Sequence, residues 1–166
     1  MAEKDTIFKG KIKQEGIFNF QDFYSFAYKW LKDEGYKVKE KSYGEKVMGD
    51  AKELLIIWES EKKVSDYFKF KIKMTWLILN MKKIKVKREN KEISMNSGTA
   101  EIRFEAILEK DYENKWEDAP IWKFLRGIYD RYIVKSRIDQ YEDDLRDELD
   151  ELIAQSKAFL AIEGRR

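Results

Sequence analysis

The chain has no cysteine and no histidine, and it has a single proline, Pro120. Without cysteine there can be no disulfide, no thiol nucleophile and no thiolate metal site. Without histidine the commonest general base and the commonest metal ligand are missing together. Long apolar runs are missing too. The longest, around Trp76-Leu77-Ile78-Leu79, falls far short of the ~18–20 residues that span a bilayer, so no membrane span is expected. The first residues, Met1-Ala-Glu-Lys-Asp5, carry no apolar signal region, and the expected location is cytoplasmic. Charge and aromatic surface, by contrast, are plentiful: 40% of the 166 residues are charged and 14% aromatic. A chain of this length buries roughly two-thirds of its unfolded surface, enough to close one core without staples.

A net charge of +2 conceals strong segregation. Residues 62–91 hold eleven lysines and arginines against Asp66 and Glu89, whereas residues 138–153 hold eight acids and one base, Arg146. Such asymmetry suits a charged partner, or a contact between the two regions within or between molecules.

The basic stretch also alternates. Phe68, Phe70, Ile72, Met74, Trp76 and Ile78 fall on one face of a period-two strand, and Tyr67, Lys69, Lys71, Lys73 and Thr75 on the other. A turn is expected near Asn80, after which Ile84 and Val86 repeat the pattern with Lys83, Lys85 and Lys87 opposite them. An open sheet face bearing Tyr67, Lys69, Lys71, Lys73, Lys83, Lys85 and Lys87 could hold a nucleic acid or another polyanion, the lysines on phosphates and the tyrosine on a base. The plainer reading is that alternating lysines solubilise an exposed antiparallel face and keep edges from pairing. Parity favours the plainer reading, because Phe68, Phe70 and Trp76 belong to the buried side and offer no stacking platform.

The rest of the chain supplies the surrounding elements. Residues 6–14 alternate as a strand with Lys9, Lys11 and Lys13 on one face. Residues 20–33 read as a helix capped by Asn19, with the stripe Phe20, Phe23, Tyr24, Ala27, Trp30 and Leu31, ended at Gly35. Residues 36–43 and 53–60 read as strands, the second covered on both faces for part of its length. Glu89-Asn90 and Asn96-Ser97-Gly98 are turn signals. In residues 99–110, Ala100, Ile102, Phe104, Ala106 and Leu108 point inward, and Glu101, Arg103, Glu105 and Glu109 outward, where the acids can pair across strands with the lysines. Asp118-Ala-Pro120 opens a last helix, whose first stripe is Ile121, Phe124, Leu125, Ile128 and Tyr132. Gly127 inside it marks a close crossing or a kink.

Further along, Ile138, Leu145, Leu152 and Phe159 repeat every seven residues, widened by Leu149. This second stripe is rotated roughly 80° from the first, which predicts a kink near Val134–Arg137 or a change of packing surface. A stripe on one helix cannot bury itself, so Ile138, Leu145, Leu149, Leu152 and Phe159 are expected to meet another surface, with a homodimer favoured over a flank of the domain.

No catalytic motif emerges. Gly44-Glu-Lys-Val-Met-Gly49 has the opening spacing of a phosphate-binding loop but continues Asp50-Ala51 where Lys and Ser/Thr are needed. The acids from Glu142 to Glu151 read as a solvated helix face and not as a metal cluster. The expectation is a non-enzymatic module without metal or cofactor.

Together these elements predict an α+β fold: a curved antiparallel sheet of about five to six strands packed on one N-terminal helix and a long C-terminal helix. Residues 1–134 would form the α+β domain and 135–166 a helical extension. In element order, over roughly residues 6–135, the chain resembles the helix-grip arrangement of lipid- and hydrophobic-ligand-binding proteins, in which a sheet wraps a long C-terminal helix. Two functions follow. One is an interaction or assembly module that dimerises through its C-terminal helix and presents a lysine face to an anionic partner. The other is a small hydrophobic-ligand binder with a cavity lined by Trp58, Trp76, Phe104, Leu125 and Tyr132.

Overall fold

The computed structural model describes residues 3–110, 124–125, 128 and 135–165. The expected opening of the last helix at Pro120, Ile121 and Tyr132 of its first stripe, Gly127, and the start of the expected kink at Val134 lie outside the described residues. Among the described residues no helix is long and apolar enough to cross a membrane.

The fold is α+β, as the patterning predicts. Five antiparallel strands, β1 (Glu3–Phe18), β2 (Lys37–Met48), β3 (Ala51–Lys63), β4 (Phe68–Arg88) and β5 (Lys91–Lys110), lie in the order β1-β5-β4-β3-β2. The sheet is open, with β1 and β2 at its edges. Helix α1 (Phe20–Asp33) follows β1 and precedes β2, so it connects the two edge strands. Helix α2 (Lys135–Arg165) packs mainly on β1, β5 and α1.

Local chemistry sets the boundaries of α1. The Asn19 side chain accepts a hydrogen bond from the Asp22 N–H, and Asp22 lies in the first turn, where the helix dipole favours an acid. At the far end Gly35 takes φ +92°, the left-handed conformation that a helix exit needs. The hairpin between β4 and β5 turns at Glu89 and Asn90, with φ of 50° and 61°, the two successive positive values of a type I′ turn.

Two expected turns are absent. β4 runs unbroken past Asn80 and β5 past Asn96-Ser97-Gly98. Between the pairs Leu79–Thr99 and Lys82–Ser97, Asn80 and Met81 stand opposite Gly98 alone, which is a β-bulge with Asn80 at φ 52°. A Cβ on Gly98 would lie 2.8 Å from the carbonyl oxygens of both Leu79 and Asn80, so the bulge requires glycine across from it. Residues with turn chemistry thus serve a bend within a long ribbon. Asn96 also tethers α1, because its side-chain oxygen accepts the Phe20 N–H at the start of that helix.

The core fills one face of the sheet. Phe23, Ala27 and Leu31 of α1 lie over Trp58 and Trp76, whose rings are 5.0 Å apart and edge-on. Leu145, Leu149 and Leu152 of α2 belong to the same cluster and are 0% exposed. The stripe for which the sequence suggested a second molecule is therefore covered by the chain's own sheet and α1. Phe159 stacks on Phe26 at 5.0 Å, and Ile138 packs on the edge of the cluster. The heptad spacing matched this helix to a domain flank, the alternative that was not favoured. β3 also departs from expectation, since Leu55 is 45% exposed and only the Leu54, Ile56, Trp58 parity is buried.

Candidate functional site

The face of the sheet away from the helices carries the lysines, and the strand register shows what they face. Directly paired residues share a face and lie close enough to interact. One row crosses all five strands: Lys9 (β1), Glu105 (β5), Lys73 (β4), Glu59 (β3) and Lys39 (β2). A neighbouring row runs Lys71, Glu61, Lys37 across β4, β3 and β2. Lys4 and Lys69 flank Glu109 from either side. Lysine-bearing β1, β4 and β2 thus alternate with glutamate-bearing β5 and β3.

Ion pairs follow this pattern. Lys71 meets Glu109 at 3.0 Å and Lys69 meets Glu61 at 3.5 Å. Their lysine side chains are only 24% and 14% exposed. Partial burial disfavours the charged form of Lys71, but the Glu109 carboxylate outweighs it and holds the ammonium above its usual pKa. Lys11 pairs with Glu101 at 3.3 Å, and its hydrogen bond is the main reason the Glu101 carboxyl sits below its usual value. Lys69 and Lys71 are therefore engaged by acids of neighbouring strands, as the cross-strand reading of Glu109 anticipated, while Lys73 stands in register between Glu105 and Glu59. Tyr67 is not on this face. It lies in the β3–β4 connection, half-buried, with its ring against Phe68 at 4.9 Å.

Beyond the bulge the situation changes. The inserted residue shifts the pairing, so even residues of β4 now oppose odd residues of β5: Ile84 with Met95, and Val86 with Ile93. Lys83, Lys85 and Lys87 pair with Asn96, Ser94 and Glu92, positions of β5 on the parity that carries Ala100, Ile102 and Phe104 farther along. By register they share a side with the core face and not with Lys69, Lys71 and Lys73. The seven residues grouped by the alternation in sequence do not form one face. Lys83, Lys85 and Lys87 are all exposed, and among the described residues they form no ion pair.

The aromatic residues assigned to a ligand cavity are packed by other rings. Trp58 and Trp76 are 1% and 0% exposed, with Tyr24 at 4.7 and 5.5 Å from them and Phe23 at 5.2 Å from Trp76. Phe104 is 2% exposed in the same core, Leu125 is 38% exposed and outside it, and Tyr132 lies outside the described residues. The space between sheet and helix at the two tryptophans is thus occupied by α1.

A polar cluster that spacing did not single out joins α2 to the sheet. Glu148 accepts hydrogen bonds from the Tyr36 hydroxyl at 2.6 Å and from Lys62 Nζ at 2.7 Å. Lys62 also donates to the Glu34 carbonyl at 3.1 Å and lies 4.7 Å from the Tyr36 ring centroid. Burial, then the bond to Glu148, pushes the Tyr36 phenol far above its usual pKa. A signal for Glu148 was present: it stands three residues after Leu145 and four before Leu152, on the buried side of an otherwise acidic helix face. Asp143, Asp144, Asp147, Asp150 and Glu151 are exposed, in keeping with the solvated-face reading. Among the described residues no group of acids is arranged to hold a metal ion.

No protein-family model matches the chain, and no curated protein or solved structure matches it.

Proposed function

We propose that this protein is a non-enzymatic interaction module that engages an anionic partner, a nucleic acid, through the β4–β5 arm beyond the bulge. The supporting observation is the contrast in charge compensation along one ribbon. Lys69 and Lys71 in the body of the sheet are ion-paired with Glu61 and Glu109 of neighbouring strands, whereas Lys83, Lys85 and Lys87 are exposed and form no ion pair among the described residues. Lys91 at the turn adds to the same end of the arm. A phosphate backbone gains most from cations that do not have to surrender an existing partner. A two-stranded ribbon is also an element that fits a nucleic-acid groove.

The test is fluorescence anisotropy of a labelled double-stranded oligonucleotide across a salt series. Replacing Lys83, Lys85 and Lys87 with glutamine should weaken binding at low salt and lower the salt-dependence slope by about 0.9 for each phosphate no longer neutralised. Replacing Lys69, Lys71 and Lys73 should change it much less. Equal losses from the two variants, or no binding by the wild type, would defeat the reading.

A further inference from the structure

The charge rows have ends, and the ends are not equivalent. Lys73, in the interior, has Glu105 on one side and Glu59 on the other. Lys39 has Glu59 on the β3 side and an open edge on the other, and Lys37 has Glu61 and the same open edge. Two successive rows therefore stop at β2 on a lysine with a glutamate behind it. At the opposite edge the matching run is broken, because the position beside Lys9 on that face, Lys11, stands opposite Arg103 in register and reaches Glu101 only diagonally. Arg146 of α2 also donates to the Ile7 carbonyl at 3.1 Å along β1.

The β2 edge is open in its backbone as well. Among the described residues, no backbone hydrogen bond outside the β2–β3 ladder reaches Lys37–Met48. Beside the edge lies a surface groove of about 480 Å³ lined by Lys37, Lys39, Lys41, Glu59, Glu61 and Lys71, among others. Lys41 sits at the bulge between Glu40 and Ser42 and reaches Glu59 at 3.6 Å, so the regular pairing edge beside the groove is short.

We infer that the Lys37–Lys41 edge of β2 accepts a short extended peptide segment carrying carboxylates at every second residue, adding a sixth strand whose acids continue the alternation. Backbone hydrogen bonds would supply the pairing and the lysine row the selection, which is the division of labour in strand addition. The same charge pattern argues against a second copy of this chain as occupant. Both edges of the sheet end in lysine, so pairing β2 with β2 or with β1 of another molecule would set lysine beside lysine. This site shares no residue with the arm and stands whether or not the arm binds nucleic acid.

The experiment uses the full chain, isotope-labelled, at low salt, with a capped synthetic peptide alternating glutamate and threonine. Its counterpart alternating lysine and threonine, and a single-stranded oligonucleotide, serve as competing probes. The glutamate peptide should shift the amide resonances of Lys37–Lys41 and slow their hydrogen exchange several-fold, while the lysine peptide leaves them unchanged. Lys37→Glu together with Lys39→Glu should reverse that preference. If that variant does not fold, Lys37→Gln with Lys39→Gln should abolish protection by the glutamate peptide. The proposal is overturned if the glutamate peptide protects no β2 amide, or acts only at Lys83–Lys87. It is overturned equally if the oligonucleotide perturbs Lys37–Lys41 as strongly as the peptide, because charge alone would then account for the effect.

Discussion

Replacing Glu148 with alanine should destabilise the protein far more than any exposed acid of the same helix. Glu148 holds two donors from different parts of the fold, Tyr36 Oη at 2.6 Å and Lys62 Nζ at 2.7 Å. Tyr36 is only 3% exposed, so its hydroxyl would be left without an acceptor where water cannot readily replace the lost carboxylate. A hydrogen bond to a charged group contributes about 1.5–3 kcal/mol. Lys62 and Glu148 are 20% and 24% exposed, so the ion pair adds about 1 kcal/mol after discounting for solvent. Lys62 keeps the Glu34 carbonyl, which limits the loss. The sum is about 3 kcal/mol for Glu148→Ala. Tyr36→Phe, which removes one donor and leaves the ion pair, should cost about 2 kcal/mol. The exposed neighbour in Asp147→Ala should stay within about 0.5 kcal/mol of wild type. Urea unfolding followed by tryptophan fluorescence reads all three, and the double variant of Tyr36 and Glu148 gives their coupling. A loss below about 1 kcal/mol for Glu148→Ala would refute the view that this cluster ties α2 to the sheet.

Other consequences are open to measurement. Leu145→Glu combined with Leu152→Glu should abolish cooperative folding, since both side chains are 0% exposed in the chain's own core; a folded double variant would contradict that packing. Gly98→Ala should lower stability by ~2 kcal/mol or more and disturb amides around Asn80, because its Cβ would meet two carbonyl oxygens at 2.8 Å. Burial, together with the hydrogen bond to Glu40, pushes the Tyr24 phenol up to about 12. The unfolded phenol ionises near 10, so this contribution is intact below that pH and is lost as pH rises from 10 toward 12. Unfolding midpoints measured across that range should fall, and less steeply in Tyr24→Phe.

The sequence by itself determined the elements and their buried faces. The parity of Phe68 through Ile78 and of Ala100 through Leu108, and the α1 stripe with its Asn19 cap and Gly35 exit, are local properties of spacing and backbone preference. The presence of lysines opposite glutamates was also legible, because both kinds of residue recur at period two. Tertiary structure alone decided how those patterns combine. Asn80 and Asn96-Ser97-Gly98 carry the composition of turns, and only the pairing of β4 with β5 shows that they form a bulge, which moves Lys83, Lys85 and Lys87 off the face of Lys69, Lys71 and Lys73. The stripe at Leu145, Leu149 and Leu152 announced that it must be covered; that β1, β5 and α1 cover it depends on where α2 returns to the sheet. Glu148 looked like one acid among eight until the fold brought Tyr36 and Lys62 to it across more than eighty residues of chain. The alternating charge rows depend on strand order as well. A sequence shows which strands are basic and which acidic, but β1 beside β5, and β2 left at the edge, follow from a pairing between opposite ends of the sheet-forming chain that no local spacing encodes.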